Sequence, residues 1–308
     1  MNAQNVFFGK DEKLRSGWRF GIFAFGFVLA ALVLGSIAIA ALSALAIPGD
    51  AGTPVYLLVN GFVSLAVALC LGWLCGKYLE GIPFRALGAW FTSAWLIHLA
   101  AGILIGAATL GVAVAIAAVF GNLGFSFNNA DSSAIRQTLV WSLVVFAVAA
   151  AFEEALFRGY ILQTFARSGL AWLAILLTSV FFGAVHLANP NAGYLSSLNT
   201  AIAGVWFGVA YLKTRDLWFV WGLHLIWNWM QGAVFGIEVS GLTEIVHSPL
   251  LKETDAGPAW LTGGDYGIEG GIACTIALIF STIAIYFLPF LKPGEEMLAL
   301  TSPPSAEA

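Results

Sequence analysis

The sequence has 308 residues, of which 60% are hydrophobic and only 10% are charged, whereas a soluble domain carries about 25% charged residues. This composition excludes water as the main solvent of the chain, and the apolar residues fall in runs long enough to cross a bilayer as helices. A net charge of −4, with 13 scattered Lys and Arg residues, leaves no basic surface of the kind that binds nucleic acid.

The apolar runs predict an all-α polytopic membrane bundle with eight transmembrane helices. In chain order, the predicted spans cover residues 20–46, 55–76, 94–119, 137–165, 171–188, 199–212, 217–235 and 271–291. The first run follows several basic residues but is too long for a cleaved signal peptide, so we interpret it as a retained helix. We therefore expect a cytoplasmic segment at 1–19, a transmembrane domain at 20–291 and a disordered cytoplasmic tail at 292–308.

The distribution of Lys and Arg predicts the orientation, because cytoplasmic loops of membrane proteins carry an excess of these residues. With a cytoplasmic N-terminus, all of the 13 basic residues except Arg136 and Lys252 fall in segments assigned to the cytoplasm. An even number of spans then places the C-terminus there too. We expect a multi-pass protein of the cell membrane, surrounded by lipid, with an acidic external loop at 236–270 that is a solvated connection.

Ionisable residues inside the predicted spans indicate a functional site, because a charge near the bilayer centre costs at least about 2.5–3.5 kcal/mol. Spans four, five and seven contain a set of such residues and one amide: Glu153, Glu154, Arg158, His186, His224 and Asn228. Glu154 and Arg158 are four residues apart, which predicts an ion pair on one helix face. His98 is a lone polar position in the third span, and we interpret it as structural.

The hairpin between spans four and five predicts that Glu153 and His186 lie side by side. The chain turns near Gly169, which is 16 residues after Glu153 and 17 before His186. A carboxylate beside an imidazole, shielded from bulk water, can hold a water molecule and take its proton. His224 and Asn228, one helical turn apart, are spaced to donate hydrogen bonds to the oxyanion of a tetrahedral intermediate.

The predicted depths of His224 and of the pair Glu153 and His186 in the bundle differ. Counted from the turn near Arg215, His224 is about 14 Å into its helix, whereas Glu153 and His186 are about 24 Å from their own turn at 1.5 Å per residue. We therefore expect the hairpin of spans four and five to project into the cytoplasm, and the site to lie in the cytoplasmic half of the bundle.

Three short motifs, in this order, resemble the signature of the CPBP family: Glu153-Glu154 with Arg158, then Phe182 with His186, then His224 with Asn228. That family unites the type II CAAX prenyl endopeptidases with bacterial proteins implicated in bacteriocin immunity. The resemblance covers about residues 137–235, which we take as the protease core, and it implies an eight-helix membrane body.

The resemblance implies an intramembrane endopeptidase that hydrolyses a peptide bond of a membrane-associated protein, with peptides and lipidated, including prenylated, proteins as substrate classes. It also implies three roles for the candidate residues, namely activation of the attacking water (Glu153 and His186), support of that pair (Glu154 and Arg158) and stabilisation of the oxyanion (His224 and Asn228).

Cofactor use stays open, because the family has been described both as metalloproteases and as metal-independent glutamate proteases. A divalent metal such as Zn²⁺ would be held by Glu153, His186 and His224, since two His and one Glu suit zinc, although no His-Glu-x-x-His pattern is present. Two other functions also stay open. One is a non-catalytic immunity or peptide-binding protein of the same family, and the other is a proton-coupled transporter, which buried Glu and His also serve.

Overall fold

The computed structural model describes residues 4–9, 12–45 and 49–303, and it is a helical bundle that is 75% helix, which confirms the predicted class. Eight helices of the described chain occupy the eight predicted spans. They are α1 (Ser16–Ala44), α2 (Gly49–Cys75), α3 (Trp95–Gly121), α4 (Ser132–Glu154), α5 (Ala171–Val185), α6 (Tyr194–Thr214), α7 (Leu217–Trp229) and α8 (Ile272–Phe287).

Three of these helices continue into π-helical turns, in which the backbone winds more widely than in an α-helix. The turn Gly76–Glu80 extends α2, and Met230–Val234 extends α7. The third, Ala155–Ile161, follows α4 and leads into a last α-helical segment, Leu162–Arg167.

Six helices of the described chain are long and apolar enough to cross a membrane. They are Ser16–Ala44, Val55–Glu80, Trp95–Gly121, Ser132–Arg167, Ala171–Ala188 and Tyr194–Thr214. The apolar helix α8 has only 16 residues, and α7 is not among the six. The helical membrane bundle is thus confirmed, while the count of eight spans and the cytoplasmic location of both termini stay predictions.

Small residues let the helices around the site approach each other closely. A Cβ atom at Gly102 of α3 would lie 2.2 Å from the carbonyl oxygen of Phe219 in α7. Likewise, a Cβ atom at Gly204 of α6 would lie 2.6 Å from the Cα atom of Ser179 in α5. Any side chain at either glycine would therefore push apart the helices that carry the candidate residues.

One end of the bundle, which we call the loop end, is capped by residues 236–270 and a small sheet. Strand β1 (Leu123–Phe127) pairs in antiparallel register with β2 (Leu251–Asp255). Two short turns in this region, Gly264–Tyr266 and Ile268–Gly270, bring Tyr266 and Ile268 into the interior. The expectation of a merely solvated connection is wrong, because apolar side chains of this loop pack into the protein.

The other end, which we call the basic end, is tied together by ion pairs. Glu80 accepts from Arg19 (Nη1 to Oε2, 2.8 Å) and from Arg167 (Nη2 to Oε1, 2.9 Å), so three helices meet at one carboxylate. All three side chains are less than 10% exposed. The sequence does not predict this contact, because Glu80 follows the second predicted span. We refer to Glu80, Arg19 and Arg167 as the Glu80 cluster.

The C-terminal residues also pack at the basic end. Glu295–Thr301 is a short helix with Thr301 fully buried, and Arg215 donates to the carbonyl of Thr301 at 3.1 Å. Arg85 forms an ion pair with Glu296. The expected disorder of 292–308 therefore does not hold for this helix, and residues 304–308 lie outside the described part of the chain.

His98 has a structural partner, as its isolated position in α3 predicts. It is buried and forms an ion pair with Asp216. The other carboxylate oxygen of Asp216 accepts from the backbone N–H of Phe219 at 3.2 Å and so caps the first turn of α7. This pair joins α3 to the start of the helix that carries His224 and Asn228.

Candidate active site

The site begins where α4 changes its winding. Glu153 and Glu154 are the last α-helical residues before the π-helical turn Ala155–Ile161. Within that turn Arg158 contacts Glu154, with Nη1 3.2 Å from Oε1. The ion pair expected from the four-residue spacing is present, and both side chains are fully buried.

Arg158 is enclosed by aromatic rings and one carbonyl. Its guanidinium carbon lies 5.0 Å from the ring centre of Phe182 and 5.1 Å from that of Phe207, which allows cation–π attraction. Nη2 donates to the carbonyl oxygen of Gly204 at 3.1 Å. A buried charge is tolerated only when it is paired in this way, so Arg158 is fixed and in turn fixes the carboxylate beside it.

His224 of α7 lies between the two glutamates. Its Nδ1 is 2.8 Å from Oε1 of Glu154, while its Nε2 is 3.8 Å from Oε2 of Glu153. The imidazole stacks on Phe207, with ring centres 4.6 Å apart. Because Nδ1 is engaged by Glu154, Nε2 is the nitrogen that faces Glu153.

Glu153 differs from its neighbour because its side chain is 24% exposed and lines a cavity. Its Oε2 atom is itself buried, yet it has no hydrogen-bond partner within the described ranges. A carboxylate oxygen that is shielded but unpaired can accept a hydrogen bond from a bound water. Oε2 of Glu154 also has no hydrogen-bond partner within the described ranges, but Glu154 is fully buried and does not line the cavity. Of the two adjacent glutamates, Glu153 is therefore the one that a substrate in the cavity can reach.

His186 and Asn228 line the same cavity from two other helices. His186 begins the 3₁₀ turn His186–Ala188 at the end of α5, and its Nδ1 is 2.7 Å from the carbonyl oxygen of Phe182. Since that carbonyl can only accept, Nδ1 carries a proton, and Nε2 is the acceptor nitrogen of the neutral tautomer. Neither side chain bonds directly to Glu153 in the described structure, so a cavity separates these groups.

The cavity has a volume of about 270 Å³ and reaches the loop end of the bundle. Its walls there include Asn189, Ser240 and Leu242, from non-helical segments, and Glu269, from the 3₁₀ turn Ile268–Gly270. This position differs from the expected one, which was the half of the bundle nearer the Gly169 and Arg215 turns. The sequence count measured depth only from the Gly169 and Arg215 turns, and it gave the loop no part in the site.

Glu269 is a residue of the cavity wall that the sequence did not single out. Its Oε1 accepts from the indole N–H of Trp227 at 3.1 Å, and its Oε2 accepts from the backbone N–H and hydroxyl of Ser240 at 2.8 and 2.7 Å. These bonds fasten the turn Val239–Leu242 against α7. A carboxylate just ahead of a predicted span was the one available signal, and it is a weak one.

Asn199 is a second residue whose role the sequence did not indicate. Its amide nitrogen donates to the carbonyls of Glu269 and Gly271, both at 2.8 Å, and its amide oxygen accepts from Thr275 at 2.6 Å. It thereby joins α6 to the start of α8 and holds the backbone of Glu269 in place.

The three expected metal ligands do not form a ligand set in this structure. Nδ1 of His224 is engaged by Glu154, and Nδ1 of His186 is engaged by the carbonyl of Phe182, so a metal could be bound only through the Nε2 atoms. Within the described ranges, no group of three His, Cys, Asp or Glu residues is placed to hold a metal ion. The donors present do not fit the zinc site that Glu153 and the two histidines would form, so the metalloprotease interpretation has no support here.

Comparison with known proteins supports the resemblance found in the motifs. A search of the curated proteins finds no match to this chain. Residues 135–230 match the family model of the type II CAAX prenyl endopeptidases, described as Rce1-like, and this segment contains all the candidate site residues. The chain is therefore an integral membrane protein that carries, at residues 135–230, a domain of the Rce1-like protease family.

Proposed function

We propose that this protein is an intramembrane endopeptidase that hydrolyses a peptide bond of a membrane-associated protein, using a water activated by Glu153 and His186. The observation that carries the proposal is the unpaired, shielded Oε2 atom of Glu153, which faces a cavity and lies 3.8 Å from Nε2 of His224. The match to a protease family supports the reaction class.

In the proposed reaction, Glu153 acts as the general base. A water held by its carboxylate attacks the carbonyl carbon of the substrate, and the carboxylate takes the proton as the new C–O bond forms. The C–N bond then breaks, and the same proton passes to the leaving amine. The free lone pair on Nε2 of His186 accepts the second hydrogen of the water and so orients it for attack.

His224 and Asn228 stabilise the developing negative charge. With its Nδ1 proton directed to Glu154, an imidazolium at His224 presents its Nε2 proton to the oxyanion, and the amide of Asn228 supplies a second donor. Glu154 and Arg158 touch no reacting atom in this scheme. They hold the imidazole in its orientation and supply a buried, balanced charge around it.

The cavity size limits the substrate to an extended segment. About 270 Å³ is slightly below the roughly 300–1,000 Å³ of pockets for drug-sized ligands, so only a few side chains of a peptide fit inside at once. The proposed partners are membrane lipid and a peptide or lipidated protein in the cell membrane. A prenylated protein is the substrate class suggested by the family description.

The test is hydrolysis of a quenched fluorescent peptide library, including farnesylated CAAX peptides, by purified protein in detergent. We expect Glu153→Ala and His186→Ala to abolish hydrolysis. Glu244→Gln, an exposed change in the loop, should leave it intact and serves as the control. Both inactive variants must show the thermal unfolding midpoint of the wild type, since misfolding would also remove activity.

A strong chelator distinguishes a reaction that uses a glutamate-activated water from one that depends on a metal ion. Hydrolysis that persists in the chelator supports a glutamate-activated water, whereas hydrolysis that disappears and returns with Zn²⁺ would restore the metal-dependent hypothesis. Folded wild-type protein that hydrolyses no peptide would contradict the protease proposal and favour a non-catalytic immunity or peptide-binding role.

A further inference from the structure

The chain before α1 folds back along the start of that helix as a short hairpin. Phe8 pairs with Leu14 as an isolated antiparallel bridge, and the backbone N–H of Arg15 donates to the carbonyl oxygen of Phe7 at 2.9 Å. These backbone contacts give a defined shape to a segment that the sequence predicts only as cytoplasmic. We call this segment the N-terminal hairpin, and its described residues are 6–9 and 12–15.

The N-terminal hairpin is attached to the Glu80 cluster. Nζ of Lys13 donates to the carbonyl oxygen of Glu80 at 3.0 Å, and Nε of Arg19 donates to the carbonyl oxygen of Leu14. The same guanidinium group reaches the Glu80 carboxylate through Nη1. The position of the hairpin is therefore fixed by the residues that join the helices at the basic end.

The N-terminal hairpin leaves three apolar side chains exposed, although large apolar side chains favour burial. Val6, Phe7 and Phe8 are 48%, 42% and 46% exposed. Trp18 of α1, which is also exposed, stacks on Phe7 with ring centres 4.9 Å apart, and its indole N–H donates to the carbonyl oxygen of Val6 at 3.2 Å. Ordered apolar side chains that are exposed as a group indicate contact with a further surface.

Exposed side chains of α1 continue this apolar surface along the membrane span. Trp18, Ile22, Phe25 and Leu29 are spaced by three or four residues, which places them on one face of the helix, and all four are exposed. This helix is one of the six that are long and apolar enough to cross a membrane, so its exposed face contacts lipid. Because Phe7 stacks on the first residue of that face, the hairpin lies beside lipid-facing side chains.

Aromatic and basic side chains mark the level of the N-terminal hairpin in the membrane. In the π-helical turn that extends α2, Nζ of the exposed Lys77 lies 5.4 Å from the ring centre of Trp73 and 5.3 Å from that of Tyr78. Trp and Tyr are enriched where the bilayer meets water, and Lys side chains extend to the headgroups there. The carbonyl group that Lys13 contacts belongs to Glu80, in the same turn. The hairpin therefore lies at the level of the lipid headgroups.

We propose that the N-terminal hairpin is an interfacial anchor, which inserts Val6, Phe7 and Phe8 into the phospholipid leaflet at the basic end. Arg15 is exposed beside these side chains, with Nε donating to the carbonyl oxygen of Phe8 at 3.2 Å. Its guanidinium group can also donate to a lipid phosphate, a pairing that arginine geometry favours. The partner is thus phospholipid, and the contact holds the hairpin against the Glu80 cluster. Because none of these residues lines the cavity, the role of this surface is separate from the endopeptidase function proposed above.

Electron paramagnetic resonance of a nitroxide on a single cysteine measures the depth of the hairpin. The background is Cys70→Ser, since the other two cysteines are buried, and the purified protein is reconstituted into liposomes of phosphatidylcholine and phosphatidylglycerol. A label at Phe8→Cys should relax faster with oxygen than with a water-soluble nickel chelate, as should one at the lipid-facing reference Ile22→Cys. A label at Glu12→Cys, an exposed polar position of the hairpin, should respond more to the nickel chelate.

Two results of this measurement would overturn the proposal. A Phe8→Cys label that responds to the nickel chelate as strongly as Glu12→Cys would show that the hairpin lies in water. A label shielded from both reagents would show that a protein surface, from a partner or a second copy of the chain, covers the hairpin instead of lipid.

Trypsin cleavage in the same liposomes tests the contact without a label. Phe8→Ser should release the hairpin from lipid and speed cleavage after Arg15 about tenfold, because local opening exposes the bond. Phe8→Leu keeps an apolar side chain and should be cleaved at the wild-type rate. Cleavage after the exposed Lys292, in the connection between α8 and the C-terminal helix at the basic end, should be equal in all three proteins. Equal cleavage after Arg15 in Phe8→Ser and in the wild type would overturn the proposal.

Discussion

Glu80 and Glu153 are carboxylates in two helices that are each long enough to cross a membrane, yet their surroundings are opposite. Glu80 is 5% exposed, and both of its oxygens are bonded to arginine, with Arg167 reaching each of them and Arg19 reaching Oε2. Glu153 has a side chain that is 24% exposed, and its Oε2 has no hydrogen-bond partner within the described ranges. The nearest cation candidate is the imidazole of His224, at 3.8 Å.

The difference shows that a buried charge by itself does not indicate catalysis. Two guanidinium groups donate to both oxygens of the Glu80 carboxylate and occupy the positions that a water would need, so Glu80 is not placed to serve as a base. The Glu153 carboxylate keeps a free lone pair next to a cavity. A free acceptor oxygen on a side chain that lines the cavity, rather than the charge, distinguishes a group available for chemistry from one that holds helices together.

The largest expected effect comes from removing the free acceptor. Glu153→Gln keeps the size of the side chain but removes the base, so we expect kcat to fall by about 10²–10⁴-fold. Stability should stay near that of the wild type, because no bond of Oε2 is lost. Peptide hydrolysis and thermal unfolding of the same detergent preparation measure both quantities. A loss of stability as large as the loss of activity would mean that Glu153 is structural after all.

Glu80→Gln should give the opposite result. It leaves Arg19 and Arg167 buried without a counter-charge, and breaking a buried pair in this way costs about 3–5 kcal/mol. The folded fraction should keep its kcat. The matched control is Glu296→Gln, which removes an ion pair whose side chains are 43% and 56% exposed, where the cost is about 0–1 kcal/mol. Equal unfolding midpoints for the two variants would contradict the role given to the Glu80 cluster.

The predictions that the structure confirms are those that rest on local sequence patterns. Long apolar runs placed the eight helices, and the four-residue spacing of Glu154 and Arg158 gave their ion pair, because both depend only on neighbours along one helix. The hydrogen bonds of Glu269 with Ser240 and Trp227 could not be predicted in this way. They join residues that are far apart in sequence through the folding of a loop whose composition resembles an ordinary solvated connection.

The prediction of how deep the site residues lie in the bundle failed for the same reason. The level of each residue was counted from its nearest turn, but a π-helical turn after Glu154 and a short α5 that ends at Val185 change the relative heights. The catalytic roles of the candidate residues stay predictions, since the geometry brings them together around one cavity without testing what they do.

Glu269 shares one feature with each of the two carboxylates compared above. Like Glu153 it lines the cavity, and like Glu80 it accepts hydrogen bonds on both oxygens. Glu269→Gln replaces an ionised acceptor by an amide that cannot accept from Ser240 and Trp227 at both positions, and hydrogen bonds to charged groups contribute about 1.5–3 kcal/mol. We expect the turn Val239–Leu242 to loosen, so that KM rises about tenfold with little change in kcat. Ser240→Ala removes only the hydroxyl donor and should raise KM less. A fall in kcat like that of Glu153→Gln would instead place Glu269 among the reacting groups.

The smallest effect is expected at Glu253, a carboxylate in β2, outside the membrane-spanning helices. Partial burial, together with the negative charges of Glu238 and Asp255, raises the pKa of Glu253 to about 7. A carboxyl group whose pKa is higher in the folded than in the unfolded state stabilises the fold fully below its unfolded pKa of about 4.3, and this contribution is lost as the pH rises through about 7.

Hydrogen exchange of the amides in the β1–β2 pair, corrected for the intrinsic pH dependence of exchange, measures this contribution. Protection should be greater at acidic than at basic pH, and Glu253→Gln, which mimics the protonated form, should remove the difference. Glu244→Gln, in an exposed part of the same loop, should leave the difference unchanged. Protection that is independent of pH in the wild type would mean that water screens Glu253 as it screens the other loop carboxylates. The pairing of β1 with β2 would then not depend on the protonation of Glu253.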